Sequence, residues 1–158
     1  MKTSIMTILI FAMVMGRGMC QDTTYVGIGE EFSATVRMEL QGEISAVGFD
    51  IVYNPTEVEY ISYDLKQVFS LEICNPRPGR LSVGLTQSQP GDYVKDCARD
   101  LILVRFKLLK KYAEIKFENG EILRDNVNPG YQEQWEGGVV RSEQIPGGSV
   151  LLKVIISR

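Results

Sequence analysis

The chain has 158 residues, 44% of them hydrophobic and 23% charged. That is enough for one globular domain with its own core, and too apolar for intrinsic disorder. The net charge is −3 and no basic run or stripe occurs, so a nucleic-acid or anionic-membrane partner has no electrostatic support.

The N-terminus reads as an export signal. Lys2 opens it, residues 4–15 (SIMTILIFAMVM) form an uncharged apolar run, and the small residues Gly16 and Gly18 follow. The run is interrupted at Arg17, well short of the roughly 20 residues that a membrane helix needs. A buried N-terminal strand or helix is the competing reading, and the abrupt change of character after Asp22 argues against it. Cleavage after Gly18 and cleavage after Cys20 are both open, and a lipoprotein acylated at Cys20 is a third form, which Met19 before it fits poorly. Removal of residues 1–20 takes away Lys2 and Arg17 and no acid, moving the charge from −3 to −5.

Beyond that point, alternation with period two dominates. Phe32, Ala34, Val36, Met38 and Leu40 alternate with polar residues, as in a strand with one buried face. Val47, Phe49, Ile51 and Tyr53 mark a second strand, stopped by Asn54-Pro55. Residues 58–63 form a third extended run, and residues 68–74 a weaker one. Pro76-Arg77-Pro78-Gly79 is expected to turn, and Leu81, Val83 and Leu85 carry the next strand. Residues 86–100 read as a polar loop, after which Ile102, Val104, Phe106 and Leu108 alternate again. Ile115 and Phe117 suit a short strand ending at Asn119-Gly120, and residues 119–136 read as the longest irregular stretch. Val139 and Val140 open a late strand, Pro146-Gly147-Gly148 is a turn, and residues 149–156 form an apolar, β-branched run. No helix, repeat or low-complexity tract is evident. Seven to nine short strands with frequent turns predict an all-β sandwich or barrel.

The segment GFDIVYNPTEVEYIS, residues 48–62, resembles the signature of cohesin-type domains, in which an alternating strand ends in Tyr, Asp or Asn, then Pro. The opening VGIGEEFSATVRMEL, the Phe-centred LILVRFKLL, and EIKFENGEI followed by GGVV resemble that family in the same order, over residues 22–141. The resemblance implies a nine-stranded jelly-roll sandwich without catalytic function, whose best-known members bind dockerin modules through one sheet face. The signature itself is structural: Tyr53 caps the core edge, Asn54-Pro55 turns the chain, and Val58 re-enters the core. One departure accompanies it. Dockerin-binding members tend to carry polar side chains on the exposed face of this strand, where this chain has Ala46 and Gly48, then Asp50.

Catalytic chemistry finds little support. The chain has no histidine, which removes Ser-His-Asp and Cys-His catalysis, His-bearing zinc sites and the commonest general base. The acidic clusters Glu57/Glu59 and Glu30/Glu31 read as a solvated strand face and a turn rather than a glycosidase pair. Asp125-Asn126-Val127-Asn128-Pro129-Gly130 places oxygens at alternate positions, as calcium favours, but lacks a spaced bidentate Glu and reads as Asx-turn chemistry. Tyr131 and Trp135 form the only Trp-containing cluster, either stacking a sugar or packing over an end of the sandwich.

The sequence therefore predicts a signal peptide over residues 1–20, a jelly-roll β-sandwich of about nine strands over 21–145 and a closing C-terminal strand in 146–158, paired with residues 138–141. With Cys20 at the signal boundary, Cys74 and Cys97 remain as an even pair in an oxidising compartment and are expected to be bridged. Such a loop closure contributes about 3 kcal/mol. The expected function is a non-enzymatic binding module that is secreted, periplasmic or on the cell surface. Its ligand would be a protein, dockerin-like or another surface protein, held on the face of Ala46, Gly48, Asp50 and Val52. A carbohydrate-binding module using Tyr131 and Trp135 on a polysaccharide is the other hypothesis. No metal, cofactor, nucleic acid or transmembrane segment in the mature chain is expected.

Overall fold

The computed structural model describes residues 26–136 and 149–157. The signal segment, the expected strand at Val139 and Val140, and the Pro146-Gly147-Gly148 turn lie outside these residues. Among the described residues there are nine strands and no helix. They are β1 Glu31–Ile44, β2 Ala46–Tyr53, β3 Val58–Leu65, β4 Leu71–Arg77, β5 Arg80–Thr86, β6 Val94–Leu108, β7 Ile115–Leu123, β8 Gln132–Glu136 and β9 Ser149–Ser157. A five-stranded sheet has the order β3-β6-β1-β9-β8, and a four-stranded sheet the order β4-β5-β2-β7. The result is the nine-stranded, two-sheet jelly-roll sandwich that the sequence resemblance implied.

Alternation places the core. Phe32, Val36, Phe49, Ile51, Val83, Val104, Phe106 and Phe117, each on the apolar side of its strand, are all buried between the sheets. Two aromatic groups join the layers. Tyr53 and Tyr60 pack edge-on against Phe106, whose ring also stacks on Phe32 at 5.7 Å. At the other side, Trp135 of β8 reaches across to Phe49 and Phe117 of the facing sheet, with centroids at 6.2 and 5.5 Å. Such aromatic pairs add to the area that they bury.

The structure corrects the expected bounds of β6, β7 and β4 and adds β8, Gln132–Glu136, within the stretch expected to be irregular; irregular pairing explains the first two. Residues 94–100 are strand rather than loop, because β6 runs for 15 residues along most of β1. A register shift between Val36 and Arg37 leaves Leu101 and Ile102 both fully buried, and this bulge hides the alternation. Likewise β7 does not end at Asn119-Gly120. Asn119 takes φ +52° at a bulge between the Asp50–Glu118 and Gly48–Glu121 pairs, and the strand continues to Leu123. Gly120 is required there, since a Cβ would sit 2.4 Å from the Trp135 ring. β4 starts later than expected and runs through Pro76 and Arg77. The carboxylate of Glu72 accepts the N–H groups of Gln67, Val68 and Phe69, holding the chain before β4 in a loop.

β9 lies inside the five-stranded sheet, antiparallel to β1 and parallel to β8. Its expected hairpin partner, residues 138–141, lies outside the described residues. Its apolar side is used within the chain: Val150 and Leu152 are buried.

Candidate functional site

The outer face of the four-stranded sheet can be reconstructed from its registers. Ala46, Gly48, Asp50 and Val52 share that face, alternating with the buried Val47, Phe49, Ile51 and Tyr53. Across the sheet, Leu71, Thr86, Ala46 and Leu123 form one row, and Ile73, Gly84, Gly48 and Glu121 the next. Asn75, Ser82, Asp50 and Glu118 form the third, and Arg77, Arg80, Val52 and Lys116 the fourth.

The first two rows make a trough. Its floor is Thr86, Ala46, Gly84 and Gly48. A Cβ on Gly84 would meet nothing within 4 Å, and one on Gly48 would touch only the Val83 carbonyl at 3.8 Å. One wall is aliphatic, with Leu71 52% and Ile73 69% exposed. The other wall is Glu121 and Leu123. The walls stand three strand spacings apart, about 14 Å. An α-helix with its side chains is about 10–12 Å across, so a helix can lie in the trough.

A charged network closes the far end. Arg80 pairs with Asp50 and, at 2.5 Å, with Glu118, while the Asn119 amide donates to Asp50 at 2.7 Å. Partial burial works to raise the Asp50 carboxyl, but hydrogen bonds from Asn119, Ser82 and Arg80 outweigh it and hold the pKa below the ordinary value. Asp50 is thus engaged within the sheet and stays ionised.

The structure therefore places the four residues chosen from sequence on one exposed face. It adds Leu71, Ile73, Gly84, Thr86, Glu121 and Leu123, which come from three other strands. Only strand register brings these together, and register is not readable from the single sequence.

The other sequence candidates fare differently. Tyr131 and Trp135 are buried, at 7% and 1% exposure, so neither presents a face to a sugar. The Tyr131 hydroxyl donates to the Glu43 carbonyl at 3.1 Å, and Trp135 packs in the core as described. Cys74 and Cys97 are free thiols, which corrects the expected bridge. Cys74 belongs to the four-stranded sheet, near Tyr60, whose ring rests on Phe106. Cys97 lies in the other sheet, nine residues along β6 from Phe106, a separation of about 30 Å at the strand rise. A bridge requires Cα atoms within about 7 Å. Burial raises both thiols, Cys74 to about 11, so they stay protonated near neutral pH.

The loop after β7 follows its Asx reading. Arg124 and Val127 exchange backbone hydrogen bonds around Asp125 and Asn126, both at positive φ, and the Gly130 N–H donates to Asn128. Among the described residues, no group of three His, Cys, Asp or Glu side chains could hold a metal. Glu57 accepts from the Asn54 amide, and Glu30 from the Gly27 N–H, so both serve turns.

No family model and no curated protein matches the chain. Solved structures do. The sixth cohesin of scaffoldin B from Acetivibrio cellulolyticus, solved with a dockerin, superposes with a TM-score of 0.55 at 15% identity, covering 82% of this chain and 93% of that one. A non-cellulosomal cohesin from the hyperthermophilic archaeon Archaeoglobus fulgidus gives 0.51 at 16% identity, covering 81% and 83%. CaCohA2 from Clostridium acetobutylicum gives 0.52 at 11% identity, covering 80% and 83%. The chain has the cohesin fold.

Proposed function

We propose that this protein is a non-catalytic, exported binding module that holds a helix of a partner protein in the trough on its four-stranded sheet. The observation that carries the reading is the floor of Gly48, Gly84, Ala46 and Thr86 beside the exposed Leu71 and Ile73. Small floor residues let a partner's backbone approach closely, and exposed aliphatics supply the apolar anchor typical of interface centres. Glu121 on the opposite wall favours a partner whose second edge is basic or hydrogen-bond-donating.

Two further observations support the reading. A cohesin sharing this fold has been solved with a dockerin, which makes a dockerin-like partner the first candidate. The N-terminal apolar segment supports export to the periplasm, the surface or the medium. The carbohydrate hypothesis loses its basis in Tyr131 and Trp135, because both rings are buried.

The experiment is capture of partners from the host's secreted and surface proteins by the native chain, beside Gly48→Arg and Gly84→Arg variants. Both positions can accept a side chain without a backbone clash. Loss of the same captured protein in both variants, with unchanged thermal unfolding, is the expected result. Full capture by both variants would move the site off this face.

A further inference from the structure

The edge strand β4 differs from the other three sheet edges. β3 carries Glu59 and Asp64 and a register shift between Tyr60 and Ser62. β7 is bulged and carries Lys116, Glu118 and Glu121, and β8 carries Glu133 and Glu136. Charges and bulges of this kind keep an edge from pairing with another chain. Along β4 the outward side chains are Leu71, Ile73 and Asn75, with no charge before Arg77. Its one carboxylate, Glu72, is turned back onto the N–H groups of Gln67, Val68 and Phe69.

The backbone of β4 is open as well. A two-residue link, Pro78-Gly79, joins it to β5, which makes Arg77 and Arg80 the hydrogen-bonded pair beside the turn. Bonded pairs then alternate through Asn75 and Ser82, Ile73 and Gly84, and Leu71 and Thr86. Glu72, Cys74 and Pro76 direct their backbone groups away from β5. Pro76 fits this phase, because it has no N–H to give. Among the described residues, no strand lies beyond β4 to receive those groups.

We infer that β4 pairs antiparallel with β4 of a second copy of this chain, Ile73 meeting Ile73 on the twofold axis. Three constraints select the occupant and the register. In a symmetric antiparallel pair, facing residues must lie on the same side of the sheet. Pairing Glu72 with Cys74 of the second copy then satisfies every outward N–H and C=O of both residues. It also leaves Pro76 outside the ladder, where its missing N–H costs nothing. Ile73, the most exposed large hydrophobic residue among those described, gains its own copy as a lateral apolar neighbour, Leu71 faces Asn75, and no like charges meet. The two four-stranded sheets would join into one of eight strands, with two troughs on the same side. This goes beyond the partner-binding reading and does not depend on it.

The test is sedimentation velocity of the full chain over a concentration series, beside Ile73→Lys and Gly48→Arg. The native chain and Gly48→Arg should form the same concentration-dependent dimer, and Ile73→Lys should weaken it roughly a hundredfold or more, since both copies lose an apolar contact and gain a facing like charge. A second readout fixes the register. With Cys20, Cys74 and Cys97 replaced by Ser, oxidised Ile73→Cys should give a disulfide-linked dimer in far higher yield than Leu71→Cys. A native chain that stays monomeric, a dimer indifferent to Ile73→Lys, or equal cross-linking at 71 and 73 would overturn the inference.

Discussion

The two outer faces of the sandwich solve opposite problems. On the five-stranded sheet, Arg37 pairs with Asp100 directly across from it at 3.1 Å, and Lys153 reaches Glu39 diagonally on the neighbouring strand at 2.8 Å. These pairs keep water on that part of the face, next to the row in which Thr35 lies between Leu103 and the exposed Ile155. On the four-stranded sheet, the rows containing Gly48 and Gly84 expose backbone beside Leu71 and Ile73. A salt-bridged lattice resists a partner through the cost of stripping its water, whereas a bare floor with an apolar wall has little hydration to lose. The contrast shows where binding can be favourable on a fold whose two faces look alike in outline.

Both faces rest on one core, so the largest effect expected is on stability and not on either face. Phe106 is fully buried and touches Phe32, Tyr53 and Tyr60. Phe106→Ala should cost about 3–5 kcal/mol in chemical denaturation. A loss under roughly 1 kcal/mol would mean that the core is packed otherwise.

The next effect separates the faces. Gly48→Arg should weaken partner binding by about 2 kcal/mol or more, the scale of an interface hot spot, read by titration calorimetry on the captured protein. Thr35→Arg, the comparable insertion on the five-stranded face between Leu103 and Ile155, should leave affinity unchanged. A smaller effect probes the charged lattice itself. Arg37 and Asp100 are 35% and 44% exposed, so Asp100→Ala should change stability by less than about 1 kcal/mol and partner affinity not at all.

The smallest expected effect lies at the β7–β8 side. Burial raises the Glu133 carboxyl above its ordinary value of 4.5, with Glu121 adding to the rise and a Trp135 hydrogen bond opposing it, and its buried Oε1 has no hydrogen-bond partner. A folded-state pKa above the unfolded one means that the protonated form is favoured by folding. That contribution is complete below pH 4.5 and is lost as pH rises through the folded pKa. Glu133→Gln should therefore raise the unfolding temperature slightly at neutral pH, with the gain vanishing in acid. A gain that grows in acid would reverse the assignment.

Sequence alone revealed the strands whose alternation is unbroken. β1, β2 and β5 are visible because Phe32 to Leu40, Val47 to Tyr53 and Leu81 to Leu85 keep strict period two. It missed the first half of β6 and the end of β7 because bulges at Leu101 and Asn119 break that period locally. The β2 part of the candidate site was legible, since Ala46 to Val52 lie on one strand face. The walls were not, because Leu71, Ile73 and Glu121 join that face only through strand order and register. The cysteine expectation failed for the same reason: an even count carries no information about which sheet, or which end, each residue occupies. Trp135 was open between surface and core, and the tight approach of Gly120 to its ring, invisible in sequence, decides for the core.

The most direct measurement of the difference between the faces is parallel capture from the host's secreted proteins by four forms: native, Gly48→Arg, Gly84→Arg and Thr35→Arg. One partner retained by the native and Thr35→Arg forms, and lost by both glycine variants with equal unfolding temperatures, is expected. Loss on Thr35→Arg with retention on the glycine variants would place the interface on the five-stranded sheet and contradict the trough as the binding site.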